Sequence, residues 1–219
     1  HSIHELNDTT LWVSTVGEGI VKIILNKNGI APTVKSATRI ILDGGRLASN
    51  YFFTSFQEND SILWFGNRGY GAHRLNLETG KFIPYKFDNI VNSQMANDIF
   101  AIYKNENGYW FATSSGLLHF NQEGSQHHNK VELLSKNTAH GMLEDQQNNI
   151  WISTNQGLVK FNPKTHTGQT YDRKNGLEVT EFSDGAFYKD IPTETLFFGG
   201  TNGFVAIKPN DYNLSLIHI

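Results

Sequence analysis

The chain of 219 residues contains no cysteine, which excludes disulfide bonds, thiolate metal sites and cysteine nucleophiles and leaves the redox compartment open. It carries 18 Lys and Arg against 21 Asp and Glu, with no basic run. The chain thus lacks the basic footprint that a phosphate backbone requires, and we expect no nucleic-acid partner. No apolar run approaches the roughly 20 residues of a membrane-spanning helix, so we expect no membrane contact in this segment.

Segments with helical periodicity are also scarce. The 20 glycines and 12% aromatic residues suit short strands joined by tight turns, and they predict an all-β chain. The absence of cysteine fits a bacterial periplasm as well as a cytosol.

One sequence pattern occurs five times, and its clearest copy is NIWISTNQGLVKF at residues 149–161. It predicts a short strand, a polar turn closed by glycine and a second strand. The copies are marked by an aromatic anchor: Trp12, Trp64, Trp110, Trp151 and Phe197. The steps of 52, 46, 41 and 46 residues average about 46, within the roughly 40–50 residues of a β-propeller blade. We therefore predict a partial β-propeller of about five four-stranded blades.

The predicted repeats cover residues 1–43, 44–88, 89–134, 135–175 and 176–212. The outer strand of the third repeat is predicted at 131–134, and the fifth repeat has no fourth strand. We expect residues 213–219 to be a non-native or disordered tail and the chain to be a fragment.

The anchors have a structural explanation and a functional one. Both faces of a blade's second strand are buried between neighbouring blades, where a tryptophan contributes about 150–250 Å² of contact area. Stacking on a sugar is the alternative, but a ligand is asymmetric whereas a seam repeats, so we favour packing. A second set of repeat positions is predicted to supply positive φ at the turns: Gly19, Gly71, Gly116, Gly157 and Gly203.

Loops vary most after the second strands and between repeats, and loops on a rigid scaffold are where function concentrates. We therefore place a binding site on that edge of the blades. The candidate ligand-binding residues are Arg46, Asn50, Asn67, Arg68, Tyr70, Asn97, Asp98, His140, Asn155, Glu181 and Asn202.

The sequence supports a catalytic site less well than a binding site. Asp98 and Glu181 stand before first strands of different repeats, and acid–base catalysis would need them to converge. His127 and His128 are adjacent and are interpreted as solvated loop residues, while His140 is either a hydrogen-bonded core residue or a ligand contact. Nucleophile elbows, phosphate loops and metal-ligand spacings do not occur. We predict no catalytic residue, no metal and no cofactor.

The repeat, most clearly at residues 109–121 and 150–162, resembles the two-component-regulator propeller repeat. Residues 175–212 resemble the final blade of such sensors, with Asn-Gly-Leu, Glu-Phe, Gly-Ala-Phe-Tyr and Phe-Gly-Gly-x-Asn-Gly-Phe. The departures are Ile191-Pro192-Thr193 in a turn that usually bears glycine, Phe197 in place of Trp, and an irregular second repeat.

The resemblance implies the C-terminal blades of a seven-bladed ring in a periplasmic sensor region. The parent would be an inner-membrane histidine kinase or diguanylate cyclase that signals as a dimer. The ligand would be a small molecule or oligosaccharide, and the chain itself would not be an enzyme. Two alternatives stay open: a protein–protein interaction scaffold, and a propeller lyase or hydrolase.

Overall fold

The structure, a computed structural model, describes residues 1–29, 31–40, 49–88, 93–120, 129–134, 137–179 and 181–210. These residues form five antiparallel sheets, as the repeat predicts. The chain divides into two compact parts, residues 1–102 (the N-terminal part) and 103–219 (the C-terminal part), and each is described separately.

The first two sheets lie in the N-terminal part. The first contains β1 (Ser2–Asn7), β2 (Thr10–Ser14), β3 (Ile20–Asn26) and β4 (Thr33–Ile40). The second contains β5 (Phe52–Asn59), β6 (Ile62–Asn67), β7 (Ala72–Asn76) and β8 (Phe82–Tyr85). A single helical turn, α1 (Ser93–Ala96), precedes the third sheet.

The remaining sheets follow in chain order. The third contains β9 (Ile99–Asn105), β10 (Gly108–Thr113), β11 (Gly116–Phe120) and β12 (Asn129–Lys130). The fourth contains β13 (Ala139–Glu144), β14 (Ile150–Thr154), β15 (Gly157–Asn162) and β16 (Thr167–Tyr171). The fifth contains β17 (Phe182–Asp190), β18 (Thr195–Gly200) and β19 (Gly203–Ile207). Each sheet is one blade whose strands pair in the order of the sequence, and the described part of the fifth blade has three strands, as predicted.

One predicted strand is wrong. Residues 131–134 do not form the outer strand of the third blade, which is the two-residue β12, and a 3₁₀-helix spans Glu132–Leu134. Val131 and Leu134 are 6% and 0% exposed, and the Leu134 N–H donates to the Val131 carbonyl at 3.0 Å. With three residues per turn, a 3₁₀-helix places both side chains on the same side, whereas a strand would turn them to opposite faces.

The anchors lie in the core between successive blades. Trp12 packs on Phe65 of the second blade with ring centroids 5.8 Å apart, and Trp110 packs on Phe161 of the fourth at the same distance. Trp151 joins a buried cluster that includes Leu196 and Phe198 of the fifth blade. The four tryptophans are at most 4% exposed. The packing interpretation is therefore confirmed.

The turn before the Trp151 strand supplies a hydrogen-bond acceptor for the indole. Asp145 is buried, and its carboxylate accepts from the Trp151 Nε1–H at 2.9 Å and from the Asn149 and Gln147 backbone N–H groups, each at 2.9 Å. Lys160, opposite Trp151 in the sheet, places Nζ 5.3 Å from the ring centroid and 3.7 Å from Asp145. Acceptor, indole and basic side chain thus form a triad.

The same triad recurs in the second and third blades. Their members, in the order acceptor, indole and basic side chain, are Glu58, Trp64 and Arg74, and Asn105, Trp110 and His119. The indole N–H bonds are 2.7 and 3.0 Å long. His119 stacks on Trp110 at 3.9 Å, and burial lowers the pKa of its imidazole.

The fifth blade lacks all three members. Phe197 replaces the indole, Ala206 lies opposite it in place of a basic residue, and Pro192 occupies the turn where an acceptor would lie. A phenylalanine side chain has no N–H that needs an acceptor. The loss of the acceptor from the turn is therefore consistent with the loss of the indole from the anchor.

The prediction of positive φ at the five turn glycines is confirmed, since their φ angles range from 76° to 136°. Gly157 shows a second reason for glycine, because a Cβ there would lie 2.2 Å from the Tyr171 carbonyl oxygen where β16 ends. The tight turn and the close approach of the outer strand both exclude a side chain.

Candidate functional site

The predicted site residues lie where second strands turn into third strands and where one blade leads to the next. In the N-terminal part, the Asn50 carbonyl accepts from the Gly17 and Gly19 N–H groups at 2.9 and 3.0 Å. Asn50 is exposed. Its backbone therefore ties the connection into the second blade to the first-blade turn. Arg46, by contrast, lies outside the described residues.

The Asn67 side chain holds the connection between the first and second blades. It is 0% exposed, its side-chain amide donates to the Ser49 carbonyl at 2.9 Å, and its Oδ1 accepts from the Ser49 hydroxyl at 3.1 Å. In the third and fourth blades this repeat position holds Thr113 and Thr154, whose hydroxyls donate to the turn-glycine carbonyl at 2.8 and 2.9 Å. The two threonines therefore close their own turns, whereas Asn67 ties the end of β6 to the connection that precedes the second blade.

Arg68 and Tyr70 offer more accessible surface on the same turn. The Arg68 side chain is exposed and lies 6.0 Å from the Tyr51 ring centroid, and Tyr70 has Lys86 5.2 Å from its ring. This turn combines cationic and aromatic groups, which can contact an anionic or a ring-shaped molecule.

Asn97 and Asp98 precede β9. Asn97 is 3% exposed and its Oδ1 accepts from the Phe87 N–H at 2.9 Å, while its amide donates to Asp88 at 3.1 Å. Asp98 is half-buried, and its N–H donates to the Met95 carbonyl at 3.3 Å. The asparagine organises the connection between the second and third blades.

In the C-terminal part, His140 pairs with Asp184, which is not among the predicted site residues. Its Nδ1 lies 2.7 Å from Oδ1 of Asp184, and the two side chains are 17% and 30% exposed. His140 is the second residue of β13 and Asp184 the third of β17, so the first strands of adjacent blades meet in this pair. The pair joins positions 44 residues apart, and a single sequence carries no signal for such a contact.

The other three candidates of this part are exposed on loops. The Glu181 carbonyl accepts from the Thr201 N–H at 3.0 Å, and its carboxylate accepts from the Thr201 hydroxyl at 3.3 Å, which brings the start of β17 to the turn carrying Asn202. Asn155 exchanges bonds with Thr138 at 3.1 and 3.2 Å. Both places present carboxamide and carboxylate groups to solvent.

A second polar link joins the first strands of the third and fourth blades, β9 and β13, near their C-terminal ends. Glu144 accepts from the Tyr103 hydroxyl at 2.7 Å and from the Asn105 amide at 2.6 Å. Burial and this carboxylate raise the pKa of the Tyr103 hydroxyl well above its ordinary value. The phenol therefore remains a donor to Glu144 at physiological pH, a structural role.

Within the described ranges, no three His, Asp or Glu side chains are grouped to hold a metal ion. Nor does this portion of the chain include a helix with the length and hydropathy to span a membrane. Asp98 and Glu181 lie in different compact parts, so their convergence stays a prediction.

Comparison with known proteins gives a consistent result. Residues 133–156 match the family described as two component regulator propeller. Histidine kinase P4 of Formosa agariphila is 30% identical in an alignment 225 residues long, which covers 77% of this chain and 16% of that protein. The chain therefore spans about a sixth of the curated relative it matches.

Solved structures show the same architecture. The extracellular domain of one hybrid two component system of B. thetaiotaomicron is 23% identical with a TM-score of 0.76, over 95% of this chain and 27% of that one. That of a second system is 17% identical with a TM-score of 0.76, over 99% of this chain and 30% of that one. These likenesses establish that the sheets are β-propeller blades. With the repeat match and the histidine kinase relative, they show that the chain belongs to the two-component regulator propeller family.

Proposed function

We propose that this chain is a ligand-sensing, non-catalytic module of a bacterial signalling receptor, located in the periplasm. The extracellular neighbours and the histidine kinase relative support this proposal. The parent would be anchored in the inner membrane, and a kinase output would respond to the state of the blades.

The observation that carries the proposal is the His140–Asp184 pair. Two polar side chains on first strands remain 17% and 30% exposed, and His140 does so between the buried Ala139 and Gly141. A ligand that contacts both would touch adjacent blades at once, and its binding energy would then depend on how those blades are arranged. That dependence is what a sensor requires.

The chemistry of the pair favours a polar, hydroxyl-bearing ligand. Carboxylate and imidazole together accept and donate hydrogen bonds, and Glu181 and Asn202 add acceptors and donors nearby in the same blade. Arrays of this kind suit sugar hydroxyls, so we propose an oligosaccharide as the ligand class.

Calorimetry tests the proposal. The chain is titrated with oligosaccharides, peptides and small organic acids, and we expect saturable heat from a member of the first group. His140→Ala and Asp184→Asn should weaken binding about tenfold or more, because the first removes a hydrogen-bonding ring and the second a carboxylate acceptor. Asp190→Asn, at the opposite end of β17, is the control and should bind as the native chain does.

Silence across all three libraries would contradict ligand sensing. If Asp190→Asn lost as much binding as the two test variants, the site would lie elsewhere. If chromatography showed that a bound sugar is converted to product, the non-catalytic assignment would be contradicted.

A further inference from the structure

The turn between the second and third strands of the second blade is one residue longer than the matching turns of the last three blades. It consists of residues 67–71, whereas four residues fill this place in each of the third, fourth and fifth blades. The first-blade turn, residues 15–19, is equally long but holds no aromatic side chain. Since three blades close the turn without the extra residue, the blade architecture does not require it.

The second-blade turn also differs in chemistry from the three short turns. The tips of the short turns carry uncharged, non-aromatic side chains: Ser114, Ser115, Asn155, Gln156, Thr201 and Asn202. The second-blade turn carries Arg68 and Tyr70 instead. Residues that a repeating scaffold needs return in each copy, as the anchors do, whereas loops that depart from the repeat are where function concentrates. Blade architecture therefore does not account for the cation and the ring at this turn.

Arg68 and Tyr70 belong to a surface of two cation–ring pairs, which we call the cationic edge and define by Tyr51, Arg68, Tyr70 and Lys86. The Arg68 guanidinium lies 6.0 Å from the Tyr51 ring centroid, and the Lys86 Nζ lies 5.2 Å from that of Tyr70. Both cations are exposed. Tyr51 is 41% exposed and Tyr70 is half-buried. Solvent therefore reaches both charges and part of both rings.

Hydrogen bonds hold the backbone of the cationic edge on both sides of the turn. On one side, the Arg68 N–H donates to the Tyr51 carbonyl at 3.0 Å, and the Ser49 hydroxyl donates to the Arg68 carbonyl at 3.1 Å. On the other side, the Gly71 N–H donates to the Asn97 carbonyl at 2.9 Å. A ligand would thus meet side chains on a backbone that is already ordered, which lowers the entropic cost of binding.

The two cations have no acidic partner within the part of the chain that the structure describes. None of the ion pairs formed there involves Arg68 or Lys86. Asp88 follows Lys86 closely in the sequence, and its carboxylate accepts from the Asn97 amide at 3.1 Å. An anion that reached the cationic edge would therefore gain an attraction that no described carboxylate already supplies.

We propose that the cationic edge is a second binding site, for a molecule that carries an anionic group on a ring. A carboxylate or sulfate would accept from the Arg68 guanidinium or the Lys86 ammonium, and the attached ring would lie against a tyrosine. Acidic sugars and aromatic acids share this chemistry. The site lies in the N-terminal part, so it does not depend on the proposed role of His140 and Asp184 in the C-terminal part.

Calorimetry of the whole chain with four probes tests the site and distinguishes the two sources of ligand. Digalacturonate and 4-hydroxybenzoate are the anionic probes, and galabiose and 4-hydroxybenzamide are their uncharged counterparts. We expect an anionic probe to bind at least about tenfold more tightly than its uncharged counterpart, because only the anion forms charge-assisted hydrogen bonds with the cations. The anionic probe that binds more tightly identifies the source.

Three variants and a matched control locate the bound probe. Arg68→Gln and Lys86→Gln should each weaken binding of the anionic probe about fivefold or more, because each removes one of the two charges. Tyr70→Leu keeps an apolar side chain but removes the ring, and should weaken binding about threefold. Lys81→Gln removes an exposed cation at the other end of β8 and should bind as the native chain does.

Other outcomes overturn the proposal. The absence of binding by both anionic probes excludes the ligand class. Equal binding of an anionic probe and its uncharged counterpart shows that the cations take no part. If Arg68→Gln and Lys86→Gln leave probe binding unchanged, or if Lys81→Gln weakens it as much as they do, the anion binds elsewhere on the chain.

Discussion

Trp151 and Phe197 occupy the same place in successive repeats and have opposite surroundings. Trp151 is 2% exposed, donates its N–H to Asp145 and packs on the fifth blade. Phe197 is half-buried, donates nothing and lines a groove. Within the described residues Trp151 has both a covering blade and an acceptor for its indole, and Phe197 has neither. The covering blade is what buries an anchor, since Trp12 is 4% exposed beside the second blade although no described residue accepts from its indole N–H.

The largest expected effect separates the two anchors directly. Trp151→Ala should lower the free energy of unfolding by about 3–5 kcal/mol, because it leaves a large cavity in a seam. Phe197→Ala should cost less than about 1 kcal/mol, as at a surface position. Urea denaturation followed by circular dichroism measures both, and equal losses would break the comparison.

The acceptor turn should give the next largest effect. Asp145→Ala leaves the Trp151 indole N–H and the Asn149 backbone N–H without their acceptor in a buried place, at a cost of about 2 kcal/mol. The matched change in the fifth-blade turn, Asp190→Ala, should alter stability by less than about 0.5 kcal/mol, since no indole depends on it. Similar losses at the two positions would show that the turn is not supporting the anchor.

A smaller, pH-dependent effect is expected at His119, for which Ala206 is the fifth-blade counterpart. Burial lowers its pKa below the value of 6.5 in the unfolded chain, so the unfolded state takes up a proton first as the pH falls. The stability from neutral His119 is present above that value and is lost as the pH falls through the folded pKa. His119→Phe keeps the ring stack and should lose less stability than the native chain between about pH 7.5 and 5.5 in urea titrations. An unchanged pH dependence would contradict this assignment.

The smallest effect is expected at the third member of the triad. Lys160→Met keeps most of the side-chain volume and removes the cation over Trp151, which should cost about 0.5–1 kcal/mol at this half-buried site. The loss should shrink in an Asp145→Ala background, because the two charges interact at 3.7 Å. Additive losses in a double-mutant cycle would show that the lysine acts on its own.

Much of the fold could be predicted because each repeat must bury an aromatic anchor and close a tight turn, and the same residue types therefore return in each copy. Anchors, turn glycines and strand order recur, and each recurrence excludes an accidental match. The outer strand at 131–134 was predicted wrongly because it is the least repeated part of the blade, and an apolar residue at each end suits a 3₁₀-helix as well as a strand. Periodicity over four residues does not distinguish them.

The site was harder to predict for a related reason. Asn67 is predicted as a varied loop residue, yet it occupies the repeat position of Thr113 and Thr154 and, like them, spends its side chain on a structural hydrogen bond to backbone. Aligning the repeats column by column would have revealed that role. Asp184 was missed because its contact with His140 spans 44 positions of the chain, and one sequence gives no signal for such a pairing.

The fold rests on the burial of the four tryptophans between neighbouring blades, and iodide quenching of their fluorescence tests this burial directly. With exposures of 4% or less for all four, we predict emission typical of buried indoles and almost no quenching by iodide in the folded chain, with full quenching in urea. Strong quenching without denaturant would place the indoles at the surface and contradict the blade-to-blade packing on which the fold rests.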